Sequence, residues 1–508
     1  MSLGTTGLGL AFLRALNSGL GLLLSIALAA VFGVTREVDA LFVAMSVAVF
    51  LARDLSRVIR VAAVPCLVES DEGRGPPDFA ASFQMTVAAI ALAVTAVVWC
   101  GAPLIVKLTS PGFDPATCEH AQRLLRLLTP SLLMFMLFGS AQSVFHARHR
   151  FLLPELSETL WRILAIVALF TLGRQGGIEA YAKGLTAAAF VQWGFLFFAA
   201  TRYGFRVLPV RWAPVQLDLL KPFWLGAIVV LCSVIQMQIE GALDRAMISY
   251  MAPGSIALFS YADRLAHMMP ILLSTSLLTP WLPAIAKIQA LVGDPRRLAK
   301  QGSLFLAALG TLLAIVIAWA ARDMVAFLLL RGKFDASSAQ LVIVSIQVFT
   351  LGIPAIFCVQ CLAGLYVVSR NLKAMIGVGL VAVLTHATFN LLLLPWGVPG
   401  IALSSALSIW IVAAYLWWRI RAREQVWFPW GRFAGAVAAS LIVLYTVPWT
   451  SFFTWVPVRL TAGATTAWAV YTAIMWPAIL RMQAYEREAT RLTKPDGGDT
   501  SDRKILKP

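Results

Sequence analysis

Long apolar segments separated by short polar turns run along almost the whole chain. A helix needs about 20 apolar residues to cross a bilayer. The segments that meet this criterion lie at 8–32, 38–66, 80–106, 122–145, 156–173, 180–201, 222–250, 254–286, 303–330, 339–368, 374–394, 399–418, 434–456 and 458–480. The pattern therefore predicts an all-α polytopic membrane protein with about 14 transmembrane helices.

The composition supports a membrane protein and argues against a nucleic-acid partner. The 508 residues are 59% hydrophobic and only 13% charged, whereas soluble proteins carry about 25% charged residues. The net charge of +16 does not come from a basic cluster in a soluble domain. The positive-inside rule accounts for it better. The first apolar segment is interpreted as a spanning helix, not as a cleaved signal, because it lacks a basic n-region.

The six cysteines do not predict a metal or redox site. Most lie within or beside apolar runs, and Cys358 and Cys361 form a C-x-x-C pair with no second pair elsewhere. Small core residues are the better interpretation. No metal and no cofactor are expected.

Lysine and arginine residues favour one side of the membrane. Assigning them to alternate loops places about 24 on one side and seven on the other. This asymmetry predicts a multi-pass protein with both termini in the cytoplasm. The polar segment 482–508 is then a cytoplasmic tail.

The second apolar segment carries a row of positive charge. Arg53, Arg57 and Arg60 follow i, i+4, i+7 spacing and share one helical face. Such a row costs several kcal/mol if it faces lipid, so it should face the interior of the bundle. The alternative is that Arg57 and Arg60, nearest the cytoplasm, extend to the interface. The segment predicts a central cationic cavity.

An internal repeat divides the chain in two. The segment 111–130 resembles 331–354, with Phe113-Asp114 matching Phe334-Asp335, and a weaker match pairs 39–45 with 256–262. The offsets are near 220 residues, and Arg148 and Arg150 fall level with Arg370. Two pseudo-symmetric lobes of like orientation are expected around the cavity. The predicted boundaries are 1–215 and 216–432 for the lobes, with 433–481 as an additional helix pair.

Several segments resemble the MviN/MurJ family of the multidrug/oligosaccharidyl-lipid/polysaccharide exporter group. They are FGVTREVDALFVAM (32–45), SPGFDPAT (110–117), ARHRFLLPE (147–155), APGSIALFSYADRL (252–265) and RGKFDASSAQ (331–340). The resemblance implies a flippase in the bacterial cytoplasmic (inner) membrane. It implies undecaprenyl-diphosphate-linked glycans as substrates, typically the peptidoglycan precursor lipid II. It also allows glycan-synthesis enzymes as partners.

The sequence departs from the family pattern on the first two helices. Ser18, Leu24 and Ala52 stand where the family usually carries arginine, although Arg53 follows directly, and Asp39 and Arg264 are retained. A relative that moves another lipid-linked glycan, such as an exopolysaccharide repeat unit, is the alternative that these departures leave open.

The candidate substrate-binding residues are the cations of the predicted cavity. Arg53 and Arg264 are the best candidates, with Arg57, Arg60 and Asp39 as further members, because arginine offers forked donors to phosphate oxygens. Arg162 follows Glu158 at i+4, and this spacing favours an intrahelical pair.

Carboxylates inside the seventh apolar segment are candidates for ion coupling. Glu240 and Asp244 lie one turn apart, and Asn390 on the eleventh segment offers an amide oxygen. A coupling ion, sodium or proton, would bind there, unless these carboxylates simply pair with Arg245 or Arg264. The membrane potential is a further energy source, since the chain has no P-loop signature for ATP.

Three other functions compete with a flippase. An integral-membrane glycosyl- or acyltransferase would need a catalytic loop with paired carboxylates, and the loops are too short. A cation-coupled drug exporter would need an acidic cavity wall. A scaffold that has lost transport is also compatible with the missing arginines.

Overall fold

The protein is described by a computed structural model that covers residues 3–72, 79–205, 207, 220–291, 296–369, 371–420 and 427–491. Fourteen helical segments follow one another: α1 Leu3–Phe32, α2 Arg36–Met45 continued by Ser46–Leu51 and Ala52–Asp71, α3 Phe79–Thr109, α4 Pro115–Ala147, α5 Leu152–Ala168 continued by Leu169–Gly173, α6 Arg174–Arg202, α7 Lys221–Ile248, α8 Ser255–Leu291, α9 Arg296–Leu328, α10 Ala336–Thr350 continued by Ile353–Val368, α11 Leu372–Leu393, α12 Gly397–Arg419, α13 Trp430–Thr446 and α14 Val456–Arg491. A 3₁₀ turn at Leu394–Trp396 and a short helix at Trp449–Phe452 complete the described elements. The predicted all-α fold with about fourteen helices is confirmed.

The length and mean hydropathy of the observed helices indicate which of them can span a membrane. Within the described ranges, seven helical stretches are long and apolar enough to cross a membrane, or eight if the bent pair in α10 counts as one span. Two of these stretches, Leu152–Arg202 and Lys373–Arg419, each contain two of the fourteen helices. Each is bent at a glycine, Gly177 or Gly397, with φ near +70°.

The repeat is visible in the backbone. Gly177 (φ 71°, ψ −165°) and Gly397 (φ 66°, ψ −150°) lie 220 residues apart and share a conformation that is almost restricted to glycine. Asp114 caps α4 by accepting the amide of Thr117. Asp335, 221 residues later, caps α10 by accepting the amide of Ser338. Equivalent turns therefore begin equivalent helices in the two halves.

The same hydrogen bonds act on the charge of the capping carboxylates. The hydroxyl and amide of Thr117 hold the pKa of Asp114 below its usual value. The side chains of Ser337 and Ser338 hold the pKa of Asp335 below its usual value in the same way. Both caps are therefore ionised at neutral pH and complement the positive ends of their helices.

The last two helices pack on the second lobe. The hydroxyl of Tyr471 in α14 donates to the carbonyl of Ala308 in α9 at 2.7 Å. Arg459 pairs with Asp323 at 2.6 Å across the same two helices. Gly463 faces the indole of Trp319 so closely that a Cβ would collide with it. Helices α13 and α14 therefore extend the second lobe at α9.

Some sequence predictions fall on residues outside this description. The predicted lobe boundary at 215/216, residue Arg370 and the end of the tail at 492–508 all lie outside the described residues. The predicted boundary at 432/433 falls inside α13. The domain boundaries stay predictions.

Alanine at Gly177 or Gly397 should destabilise the protein by about 1–3 kcal/mol, because alanine rarely adopts that backbone conformation. Nothing lies within 4 Å of a Cβ at either position, so the cost comes from the backbone alone. The apparent melting temperature in detergent would measure it. Gly194→Ala is the matched control, since Gly194 is helical and equally uncrowded. If Gly177→Ala melts at the same temperature as Gly194→Ala, the backbone argument is wrong.

Candidate functional site

A cavity of about 460 Å³ lies between the two lobes. The first lobe contributes Ser25, Phe42 and Phe50, and helices α7, α8, α10, α11 and α12 contribute the rest. Its charged or titratable wall residues are Glu240, Asp244, Arg245, Asp263, Arg264, His267 and His386. Three of the predicted site residues, Arg264, Glu240 and Asp244, therefore share one cavity.

A second cavity of about 220 Å³ lies inside the first lobe. Arg53, Arg57 and Arg60 all line it, together with Asp54 of the same helix and with polar groups from the helices opposite: Gln142, Glu158 and Gln192. The three arginines thus share one face, as their spacing predicts. The π-helical turn Ser46–Leu51 ends immediately before this face and sets its direction.

The arginines of the second cavity differ in their partners. Arg57 pairs with Asp54 at 2.6 Å on the exposed side of α2. Asp54 also accepts a hydrogen bond of 2.9 Å from Gln238 in α7 and so joins the two lobes. Arg53 has no ion pair within the described residues, and its guanidinium stacks on the ring of Trp161 at 4.3 Å. Arg53 is therefore held by an aromatic ring, and Glu158 and Asp54 act on it only from a distance.

Arg162 is a site residue that sequence reasoning missed. The predicted ion pair with Glu158 is not formed, and the structure as described gives Arg162 no hydrogen-bond partner or ion pair. Its guanidinium instead lies beside Gly21 of α1, together with the guanidinium of Arg264. Helical spacing favours Glu158 as the partner of Arg162, but the side chain of Arg162 instead packs against Gly21, which is distant in sequence. Gly21 makes the contact possible, but no charge spacing or motif in the sequence pointed to it.

The carboxylates of α7 are engaged by neutral or titratable groups, not by arginine. One oxygen of Asp244 lies 2.7 Å from Nε2 of His386 and accepts a hydrogen bond of 2.8 Å from Asn390. Glu240 accepts from Gln236 at 3.2 Å. The alternative pairing with Arg245 or Arg264 is absent among the described residues. Asp244, His386 and Asn390 are all buried.

Asp39 lies away from both cavities and joins the lobes. Its two carboxylate oxygens accept the backbone amides of Gly254 and Ala257, at 2.6 and 2.8 Å, at the start of α8. A charged carboxylate at a helix N-terminus is stabilising. Asp39 is therefore a cap supplied by one lobe to a helix of the other.

Further contacts between the lobes surround this cap. The amide of Lys333 donates to the carbonyl of Ala30 at 3.0 Å. In the pseudo-symmetric position, the amide of Gly112 donates to the hydroxyl of Ser249 at 2.9 Å. The hydroxyl of Tyr261 also donates to the carbonyl of Gly33 at 3.4 Å, and we call the end of the bundle that holds Asp39, Gly112, Lys333 and Gly33 the Gly33 end.

The lobes also touch towards the opposite end. Gly226 of α7 lies against Ala62 of α2, with 3.6 Å between a Cβ built at the glycine and the alanine. Phe223 meets Phe83 edge to face at 5.3 Å. Interlobe contacts therefore flank the cavity at both ends.

Comparison with known proteins identifies the family. The family model described as "Lipid II flippase MurJ" matches residues 28–475. The chain belongs to this family.

Relatives match along most of their length. A probable lipid II flippase MurJ from Haemophilus influenzae is 26% identical over 436 residues, which cover 81% of this chain and 85% of that protein. The lipid II flippase MurJ of Burkholderia cenocepacia is 24% identical over 457 residues, covering 85% of this chain and 87% of that protein.

Solved structures share the fold. A lipid II flippase MurJ in an inward closed conformation superimposes with a TM-score of 0.76 at 19% identity, over 92% of this chain and 99% of that one. An inward-facing multidrug transporter of the MATE family gives 0.63 at 13% identity, over 85% and 96%. The predicted family and its two-lobed transporter fold are confirmed.

Asp39→Asn should loosen the Gly33 end. An asparagine keeps one acceptor oxygen but loses the charge and the second acceptor, and each such bond contributes about 1–3 kcal/mol. Spin labels at Lys107→Cys and Ala252→Cys in a cysteine-free background would measure the distance between the lobes. We expect a longer-distance population in Asp39→Asn.

Glu37→Gln is the control for that experiment, because Glu37 lies on the same turn of α2 but is exposed. It removes the same charge without touching the cap. An unchanged distance distribution in Asp39→Asn would show that the cap does not hold the lobes together.

Proposed function

We propose that this protein is a flippase that moves an undecaprenyl-diphosphate-linked glycan, lipid II, across the membrane by alternating access. The observation that carries the proposal is that Arg53 and Arg264 line cavities without forming an ion pair within the described residues. Arg264 lines the cavity between the lobes, and Arg53 lines the cavity inside the first lobe. The names of the relatives support lipid II as the substrate.

The physical task of a flippase is to remove the cost of moving charge through hydrocarbon. Moving a diphosphate and its sugars into hydrocarbon costs several kcal/mol or more when neither water nor protein groups bind them. A cavity with arginine on its wall supplies such partners, while the polyprenyl tail stays in lipid. The chemistry is binding and release, so the proposed activity is transport and not catalysis.

The lobe contacts fit alternating access. The hydrogen bonds at the Gly33 end, centred on Asp39, are few and polar, so they can break and re-form at modest cost. The excess of lysine and arginine in loops away from this end supports a cytoplasmic position for both termini. The Gly33 end is then the periplasmic one, and glycan-synthesis enzymes that consume the flipped precursor are the expected partners there.

A flippase for a different lipid-linked glycan is the second candidate. Ser18 and Leu24 on α1 replace arginines of the family pattern, and Leu24 is buried. A drug exporter is less well supported. The cavity carboxylates Glu240 and Asp244 already have hydrogen-bond partners, whereas Arg264 has none within the described chain.

Arg53→Ala/Arg264→Ala should abolish lipid II transport. Two forked donors for phosphate oxygens are lost, each worth about 1.5–3 kcal/mol when the acceptor is charged. The measurement is rescue of a strain depleted of its own lipid II flippase, at equal expression, combined with lipid II flipping in proteoliposomes. Arg126→Ala, an exposed arginine on α4, is the matched control and should rescue.

Each result of that experiment has a clear meaning. If the well-expressed wild type neither rescues nor flips lipid II, the lipid II proposal fails and another undecaprenyl-linked glycan replaces it. If the double variant works as well as the wild type, Arg53 and Arg264 are not the binding residues.

We propose that the Asp244 cluster binds the coupling cation. Asp244, His386 and Asn390 line or adjoin the cavity that holds Arg264. The other charged groups and histidines on its wall are Glu240, Arg245, Asp263 and His267. Binding of a cation to Asp244 would change the charge that Arg264 experiences across the cavity. A bound cation makes the potential at Arg264 more positive, so the cluster links cation binding to binding of an anionic substrate, and cation release to substrate release.

Asp244→Asn should uncouple transport from its driving gradient. In proteoliposomes, lipid II flipping by the wild type should respond to an imposed sodium gradient or to an imposed proton gradient, and the variant should respond to neither. Ser405→Ala, on α12 and also on the cavity wall, is the control, because the hydroxyl of Ser405 donates only to a backbone carbonyl of its own helix. A variant that keeps the wild-type response would remove this cluster from the coupling mechanism.

A further inference from the structure

Two guanidinium groups from different helices meet at Gly21 on α1. A Cβ atom at Gly21 would lie within 3.0 Å of Nη2 of Arg264 and of Nη1 of Arg162. The two nitrogens therefore lie side by side in the space that the missing side chain leaves. Any residue larger than glycine would displace both arginines.

A third arginine is fixed beside this pair by α5. The guanidinium of Arg53 lies 4.3 Å from the ring centroid of Trp161 and 5.4 Å from that of Phe135. Trp161 directly precedes Arg162, so one turn of α5 supplies both the stacking surface for Arg53 and a guanidinium of its own. Stacking on a buried indole restricts the orientation of Arg53.

The three arginines have no anion in the described structure. Nη2 of Arg53, Nε of Arg162 and Nε of Arg264 are buried and make no hydrogen bond with any described residue. None of the three forms an ion pair within the described ranges. Like charges held together at an apolar depth are costly unless an anion joins them.

The nearby carboxylates do not fill this role. Glu155 is engaged by Arg14 at 3.3 Å. Asp263, the neighbour of Arg264, lies 2.7 Å from Nδ1 of His267. Glu158 lines the smaller cavity one turn before Arg162 and attracts Arg53 and Arg162 without forming an ion pair with either. Asp54 is held by Arg57 and Gln238. Among the described residues, no carboxylate therefore contacts the three guanidinium groups directly, and their donors can bind a ligand.

We propose that Arg162 is the third member of a three-arginine site, with Arg53 and Arg264, for the diphosphate group of the lipid carrier. This inference rests on the proposed function and adds a binding residue to it. Arg264 lines the cavity between the lobes and Arg53 lines the cavity in the first lobe. A diphosphate beside Gly21 would meet forked donors from three helices, α2, α5 and α8.

The first test measures binding to the full-length protein in detergent with farnesyl diphosphate and farnesyl monophosphate as probes. The wild type should bind the diphosphate more tightly. Arg162→Gln should weaken diphosphate binding tenfold or more and reduce the preference over monophosphate, and Arg162→Lys should restore part of it. Gly21→Ala, which removes no charge, should weaken binding because it displaces two of the arginines.

Arg123→Gln is the matched control. Arg123 is an exposed arginine of the same lobe that already pairs with Glu119 and Glu179, so its loss should leave the affinity for farnesyl diphosphate within about twofold. A comparable loss of affinity in Arg123→Gln would mean that overall positive charge, and not the three-arginine site, governs binding.

The melting temperature without ligand separates binding from a structural role. Removing one of three mutually repelling charges should raise the apparent melting temperature of Arg162→Gln or leave it unchanged. The additional stabilisation that farnesyl diphosphate gives the wild type should be lost. A structural role for Arg162 predicts the opposite, a lower melting temperature with the ligand-induced increase intact, and that result would overturn the proposal.

The binding experiment tests the three-arginine site separately from the identity of the glycan. If the wild type flips lipid II and Arg162→Gln binds farnesyl diphosphate as tightly as the wild type, this inference fails while the proposed function stands. If the wild type flips no lipid II but binds the diphosphate through Arg162, the site stands and the proposed glycan fails.

Discussion

The cost of an unpaired charge in hydrocarbon is the constraint on which this fold depends. A helix such as α2, with Arg53, Arg57 and Arg60 on one face, is stable in a bilayer only when that face meets protein or water. The bundle satisfies this requirement by turning the face inwards against α4, α5 and α6. The cavity is therefore a condition for inserting this sequence into a membrane, as well as the place where an anion can bind.

A second constraint is that the two lobes must hold together and yet separate. Within each lobe the helices bury many apolar side chains, whereas the Gly33 end combines a few hydrogen bonds to backbone groups with a small apolar cluster of Val43, Ile248, Ile256 and Ile401. Asp39 contributes two of these hydrogen bonds, and the turns at Gly112 and Lys333 contribute one each. A neutral hydrogen bond contributes about 1 kcal/mol and one to a charged carboxylate about 1.5–3 kcal/mol. Because these bonds join the lobes and lie outside the lobe interiors, this end can open without disturbing the packing within either lobe.

The sequence predicted the features that local pattern controls and missed those set by distant packing. Segment length and hydropathy gave the helices, and the Asp114 and Asp335 turns gave the repeat, because each depends on neighbouring residues. The expected pair of Glu158 and Arg162 is absent, since spacing of i, i+4 brings two side chains near without requiring a bond. The partners of Asp39 begin 215 residues further along the chain, at Gly254, and no local signal identifies them.

A guanidinium group can lie at the surface of α1 whichever helix carries the arginine. In the family pattern α1 itself carries cations, at the positions of Ser18 and Leu24 here. In this chain α1 presents Gly21 instead, and the guanidinium groups of Arg162 and Arg264 reach its surface from α5 and α8. An anion in the cavity interacts with charge at a point in space, and the Coulomb energy does not depend on which backbone supplies it. A glycine in a helix that has lost its arginines can therefore preserve a cationic site by making room for arginines from its neighbours.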